Sequence, residues 1–264
     1  MFLQGAEHTN PHRQGEFEVG FYKVRSRTRS WDGISIGILI LDACYPCVPG
    51  NVGNATTYDF PVRYKEVQGA SIDRLLNERD PSLLEPFIDA ARELEAEGVR
   101  AITGACGFMA LFQRQVAQSV NIPVFISSLL QVPFIYRMLP PGRVVGIITA
   151  NKSCLTQEHF DSVGITREIP LAVYGMEDQY EFRSSILEEK GTMDSDQIEK
   201  EVIGVAARMK EENPDLGAVL LECSDLPPYA AAVQEVVDLP VFDFITMIRH
   251  VHSAIRRERY SGFM

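Results

Sequence analysis

Residues 99–125 read VRAITGACGFMALFQRQVAQSVNIPVF, and residues 216–242 read LGAVLLECSDLPPYAAAVQEVVDLPVF. Each stretch opens with an apolar run of strand type that ends at a cysteine, Cys106 or Cys223, and continues as a helix-like segment. Each closes on Pro-Val-Phe, the start of another strand. Cys106 precedes Pro123, and Cys223 precedes Pro240, by the same 17 positions. The chain therefore reads as a duplicated unit carrying one thiol in register in each copy. A second repeat agrees with this: IGILILD around Gly37 matches VGIITAN around Gly146. These glycines lie 109 positions apart and the thiols 117, so the second copy has gained about eight residues ahead of its cysteine.

Working outward, Gly33–Leu41 is continuous in Ile and Leu, the pattern of a parallel strand buried on both faces. Residues 44–64, CYPCVPGNVGNATTYDFPVRY, are too rich in Pro, Gly and Asn for helix and read as a long loop. Pro81–Glu97 is helical, with Leu84, Phe87, Ile88, Ala91 and Leu94 at helical steps and Asp80 as cap. Further helices are predicted at Phe108–Ser119, Ser128–Leu139, Ser153–Ser162, Ser195–Glu212, Pro227–Val236 and Phe244–Arg257. Strands fall between them at Val99–Thr103, Pro123–Ile126, Val144–Thr149, Ile169–Val173, Gly217–Leu221 and Pro240–Phe242. Alternating strands and helices predict an α/β fold of two pseudo-symmetric Rossmann-like lobes, each a mostly parallel sheet flanked by helices. The expected divisions are an N-terminal arm at 1–31, a first lobe at 32–139 and a second lobe at 140–264 with a closing C-terminal helix. Ligands of such folds sit at the carboxyl ends of strands, so the site is expected in the cleft between the lobes. Asp42, Thr149 and Asn151 fall at such ends, as do both cysteines.

The formal charge of −11 argues against nucleic acid as a partner. Two basic clusters, Lys23 to Arg29 and Arg256 to Arg259, read as a solvated or subunit-contacting arm and a helix C-terminus. No apolar stretch approaches the roughly 20 residues of a membrane span. The polar N-terminus lacks the apolar core of a secretory signal. Five cysteines at scattered spacings do not suggest a disulfide framework. The expectation is a cytoplasmic homo-oligomer, dimer or tetramer, with reduced thiols.

A helix start after each cysteine offers free N–H groups to a thiolate or to a substrate carboxylate. One thiolate and one thiol on opposite sides of a carbon acid supply a base and an acid, the equipment for moving a proton on and off carbon. Glu222 and Asp225 flank Cys223 as groups able to orient it or raise its pKa, and Asp225 also reads as a helix N-cap ahead of Pro227. Cys44 and Cys47 form a C-x-x-C, but Pro46 and Pro49 forbid the helix start that redox motifs use, so a cleft-lining loop is expected, with Cys44 or Tyr45 touching substrate. Cys154 reads as packing and His159 as a surface helix residue. His250 and His252 do not share a helix face, so no metal is called for. Neither G-x-G-x-x-G after the first strand nor G-x-x-x-x-G-K-[ST] occurs, and no cofactor is expected.

The paired-cysteine frame, from about Gly33 to His252, resembles the aspartate/glutamate racemase superfamily, which includes racemases, maleate isomerases, arylmalonate decarboxylases and dimethylsulfoniopropionate lyases. The resemblance implies a cofactor-independent enzyme acting α to a carboxylate, with Cys106 and Cys223 as acid and base. Gly107 and Phe108 stand where amino-acid racemases carry Asn-Thr after the first cysteine, and Ser224 and Asp225 follow the second. CGFMALFQ, ECSDLPPYA and PGNVGNATTYDFPVRY look more like the dimethylsulfoniopropionate lyase branch, in which Phe108, Tyr45 and Tyr58 would meet a sulfonium through their ring faces. The leading expectation is a racemase or epimerase. A sulfonium-eliminating lyase is the alternative, followed by decarboxylase or isomerase activity and by a small-acid binding protein.

Overall fold

The structure is a computed structural model that describes residues 32–264, of which Gly33–Met264 form one compact unit. The expected arm at 1–31, with its basic cluster, lies outside the described residues. The α/β architecture is as expected: two four-stranded parallel sheets, each with its helices. The first sheet is ordered β2-β1-β3-β4, from Val62–Glu66, Ile36–Ile40, Ala101–Gly104 and Val124–Phe125. The second repeats that order as β6-β5-β7-β8, from Leu171–Gly175, Val144–Thr149, Leu216–Leu221 and Val241–Phe242. Cys106 follows β3 and Cys223 follows β7, so the two thiols occupy equivalent places.

Burial explains why these segments are strands and helices. All of Ile36–Leu39, Ala101–Gly104 and Leu216–Leu221 are buried, as continuous apolar runs in parallel sheets require. Helix α1, Leu84–Glu97, buries Phe87, Ala90, Ala91 and Leu94 on one face. It ends at Gly98, whose φ of 87° lets its N–H return to the Leu94 carbonyl at 3.1 Å. As expected, Asp80 caps the preceding turn, its carboxylate accepting from the Ser82 N–H. The repeated strand glycine has a packing cause. A Cβ on Gly37 would meet Leu94 at 2.9 Å, and one on Gly146 would meet Met209 at 2.4 Å, so both let a helix lie close on the sheet.

Several local readings are corrected. The end of the long loop, from Val62, is the start of β2, whose polar sequence VRYKE hides it because the strand lies at a sheet edge. The helices expected at 108–119, 128–139 and 227–236 each open with a 3₁₀ turn, at Gly107–Phe112, Ser128–Gln131 and Pro227–Tyr229. They continue as α2, Gln113–Ser119, α3, Val132–Met138, and, in the last case, Ala230–Val237. The helix expected at 153–162 is confined to α4, Gln157–Ser162, because Asn151 Oδ1 accepts from the Ser153 N–H and hydroxyl and turns the chain there. Two π-helical turns were not foreseen, Asp73–Glu78 and Arg183–Leu187, one in each half. Left-handed residues, Arg79 at φ 50° and Glu189 at φ 51°, follow them.

The halves are joined by hydrogen bonds at the cysteine ends of the sheets. The Ser224 hydroxyl donates to the Ala105 carbonyl at 2.6 Å, and Ser128 donates to the Glu222 carbonyl at 2.9 Å. The Cys154 thiol donates to Asn77 at 3.3 Å. One hydrophobic cluster also runs through both halves, from Leu39 and Phe87 to Val219 and Val233.

The glycines differ in what surrounds them. A Cβ at Gly104 would meet the Ile126 carbonyl oxygen at 2.4 Å, which is backbone and cannot rotate away, whereas Gly37 faces the movable end of Leu94. Gly104→Ala should therefore lower unfolding free energy by about 1–3 kcal/mol in urea titration, and by more than Gly37→Ala. Equal effects would contradict this account.

Candidate active site

Five of the expected residues come together around a cavity between the two sheet ends: Cys106, Cys223, Tyr45, Ser224 and Asp225. Its remaining wall is apolar, formed mainly by Leu41, Ile72, Leu76, Ala150, Ile186 and Leu187. Ile72 and Leu76 come from the first π turn and its start, and Ile186 and Leu187 from the second, so the two irregular turns face one cavity. Among the described residues, no Lys, Arg or His lines it. Its volume is about 20 Å³, room for about one water. An adjoining cavity of about 100 Å³ shares Leu41, Tyr45, Ala105 and Ser224 and extends to Cys47 and Asn51. A larger cavity of about 600 Å³, beside Phe60, His252 and Arg256, opens near Gly33 and Ser35 at the amino ends of the strands, away from both thiols.

Asp225 is the hub. Its carboxylate accepts from Asn51 Nδ2 at 2.6 Å, from the Cys223 thiol at 3.2 Å and from the Tyr45 hydroxyl at 3.4 Å. It is not the helix cap expected of it, since the turn at Pro227–Tyr229 is capped by Leu226 without a side-chain bond. Asn51 belongs to the loop of the first half and Asp225 to the second, so the pair also ties the loop across the site. Nothing local in the sequence marks Asn51; only the fold brings it to a residue 174 positions away.

Glu222 is fully buried one position before Cys223. Its Oε2 accepts from the Thr149 hydroxyl at 2.8 Å, and its Oε1 has no hydrogen-bond partner among the described residues. Gly107 faces this carboxylate and not the cavity: a Cβ there would sit 1.9 Å from Oε1. A glycine follows Cys106 because Glu222 fills the space of its side chain. Thr149 likewise holds Glu222 and does not line the cavity.

Other expected contacts are not made. Asp42 is exposed, and Asn151 is used by its own turn. Phe108 is buried beneath the site, edge-on to His159 at 5.3 Å between ring centroids. His159 is therefore not a surface residue; it is wholly buried, its Nδ1 accepts from the Thr156 N–H, and burial lowers its pKa to about 4. Tyr58 is buried elsewhere, its hydroxyl donating to Val52.

The helix starts after the cysteines do not produce the lowered thiol pKa values expected of them. Burial pushes the Cys106 thiol up, and the Glu222 charge adds to this against the opposing N–H groups of Phe108 and Met109. Cys223 is pushed up by burial and then by Asp225, Glu222 and Cys106. Desolvation and like charge outweigh a short 3₁₀ turn, whose dipole is small. Burial also raises Asp225 above the usual carboxylate range and lifts Glu222 to about 7. Cys44 and Cys47 are exposed free thiols on the loop.

With this geometry in hand, the relatives can be compared. Over 218 residues, 80% of this chain and 71% of the relative, the sequence is 30% identical to a dimethylsulfoniopropionate lyase of Durusdinium sp. clade D. The chain belongs to the dimethylsulfoniopropionate lyase family. It is also 30% identical to dimethylsulfoniopropionate lyase 5 of Emiliania huxleyi (strain CCMP1516), matching over 96% of its own length but spanning 53% of that protein. No protein-family model matches the chain. Among solved structures, a glycine-to-cysteine variant of arylmalonate decarboxylase aligns over 85% of this chain and 95% of its own, with a TM-score of 0.58 and 17% identity. An aspartate racemase homologue of Pyrococcus horikoshii OT3 aligns over 84% of this chain and 98% of its own, with a TM-score of 0.53 and 17% identity. This chain thus has the fold of these decarboxylase and racemase-homologue structures, as the resemblance of its paired-cysteine frame implied. Among the described residues, no helix is long and apolar enough to cross a membrane.

Glu222 makes stability depend on pH. Its folded pKa of about 7 exceeds the ordinary 4.5, so its contribution is fully present below 4.5 and is lost as pH rises through about 7. At about 1.4 kcal/mol per unit, the loss is on the order of a few kcal/mol. Glu222→Gln should remove this part, while Asp225 contributes with the same sign in both proteins. Urea unfolding at pH 5 and pH 8 should show a smaller decrease for the variant, and an unchanged decrease would refute the assignment.

Proposed function

We propose that this member of the dimethylsulfoniopropionate lyase family is a cofactor-independent carbon–sulfur lyase. Its substrate is a β-sulfonium carboxylate such as dimethylsulfoniopropionate, and its catalytic base is Cys223. The Cys223 thiolate takes the proton α to the carboxylate. The C–H electron pair becomes the new Cα=Cβ bond, and the Cβ–S bond breaks with its pair passing to sulfur. Acrylate and neutral dimethyl sulfide leave, and the proton stays on Cys223 until Asp225 passes it to solvent.

The observation that carries this reading is the cavity that holds both thiols beside Tyr45, Ser224 and Asp225, with the rest of its wall apolar and, among the described residues, no Lys, Arg or His. Elimination joins a thiolate anion and a sulfonium cation into a neutral thiol and a neutral sulfide. Charge is destroyed in the transition state, so a desolvated apolar chamber accelerates the step. Racemisation of a carboxylate instead builds a second negative charge, which a buried acidic chamber opposes. Cys223 is favoured over Cys106 as base because its proton already points at a carboxylate, 3.2 Å away, that Asn51 and Tyr45 hold in place. Cys106 then sits across the cavity as a thiol. Both names in the superfamily's repertoire, lyase and racemase, share the α-proton transfer and differ only in where the electron pair goes.

The cavity holds about one water as it stands, so this reading requires the site to open for the substrate. Headspace chromatography of the enzyme with dimethylsulfoniopropionate should find dimethyl sulfide in step with acrylate. Cys223→Ser should lower kcat by roughly 10²–10⁴-fold, with Asp225→Asn moving in the same direction. Deuterium uptake at the α carbon of an amino acid, with loss of optical activity and no sulfide released from the sulfonium acid, would overturn elimination in favour of a racemase.

A further inference from the structure

We infer that Glu222 is a positioning and specificity-determining residue: a buried carboxylate behind the two thiols that favours a cationic substrate over a neutral one of the same shape. This rests on the elimination reading above.

The strand that leads to Glu222 is apolar throughout, with every residue of Leu216–Leu221 buried. A carboxylate at its end is costly to desolvate, and an apolar residue would suit the packing. The residue is nevertheless built into the fold. Its main-chain N–H donates to the Ile148 carbonyl at 2.8 Å, its main-chain carbonyl accepts from Ser128 at 2.9 Å, and Gly107 leaves room for its carboxylate. Thr149 engages one carboxylate oxygen at 2.8 Å, and the other has no partner among the described residues.

Asp225 provides the contrast. Three donors, from Asn51, Cys223 and Tyr45, converge on it, so its charge is committed to the base. Glu222 keeps one oxygen free, on the side of the residue that follows Cys106. The titratable groups that feel its charge are Cys106 from the first half and Cys223 beside it; both are held protonated in part by that charge. A cation admitted to the cavity that holds both thiols supplies the missing counter-charge, offsetting the repulsion on both at once. A neutral molecule of equal size supplies nothing. Glu222 does not line the cavity, so it works through the field it places there and through Cys106, without touching substrate.

The test compares dimethylsulfoniopropionate with 4-methylpentanoate, in which a neutral carbon replaces the sulfonium sulfur. Glu222→Gln should raise KM for the sulfonium acid by roughly tenfold or more, while Ki for 4-methylpentanoate changes by less than about threefold. Glu222→Asp keeps the charge and should retain most of the discrimination. Thr149→Val removes the donor that favours the ionised carboxyl and should shift KM in the same direction as Glu222→Gln, by less; it serves if the Gln variant does not fold. An active wild type whose KM and Ki move together in these variants, or not at all, overturns the role of Glu222 alone. A wild type that releases no sulfide overturns the elimination reading and this inference together.

Discussion

Cys106, Cys223, Glu222 and Asp225 are four groups that ionise to negative charge, three of them buried and Cys106 half-buried, gathered just past the ends of two strands where, among the described residues, no basic side chain lines the cavity of the thiols. Desolvation and mutual repulsion set the properties of each: both thiols and both carboxyls bind protons more tightly than they would in water. Such a cluster survives only if the scaffold supplies fixed donors. Thr149 at the end of β5, Asn51 and Tyr45 on the loop after β1, and main-chain N–H groups after Cys106 and Cys223 are those donors. The bonds from Ser224 to Ala105 and from Ser128 to Glu222 hold the two sheet ends at the spacing that the cluster needs.

The same constraint connects fold to chemistry. A duplicated unit places one thiol at the end of the third strand of each half, facing a common space. Each half also contributes a π-helical turn, and these turns, absent from any regular helix pattern, bring apolar side chains over the thiols. Such turns often occur at functional sites, where an extra residue re-aims a side chain. An apolar lid over an acidic floor favours a reaction that consumes opposite charges over one that creates more of the same sign. The duplicated unit supplies the thiols, whereas Glu222, Gly107 and the π turns set the field around them.

Much of this was legible in the sequence. The register of Cys106 with Cys223, and of Gly37 with Gly146, revealed the duplication, because parallel strands buried on both faces leave long apolar runs that can be aligned by eye. Caps such as Asp80 are equally local and were readable. Three kinds of feature were hidden. β2 is a polar edge strand without the apolar run that marks its neighbours. The π turns end in left-handed Arg79 and Glu189 with no glycine to announce them. His159 and Asp225 carry polar side chains whose ordinary local roles, surface helix and cap, differ from the buried ones they have here.

By itself, then, the sequence determined the α/β class, the two-fold repeat and the register of the two thiols, since these follow from periodicity and spacing along the chain, while the family frame came from resemblance of its motifs. Tertiary structure alone decided what those thiols are. It put Asn51 on Asp225, put Glu222 in the space left by Gly107, and removed Phe108, Tyr58 and Asp42 from the site. The physical reason is that a pKa depends on burial and on charges a few ångströms away. Those neighbours come from both halves of the chain, so no local stretch contains them.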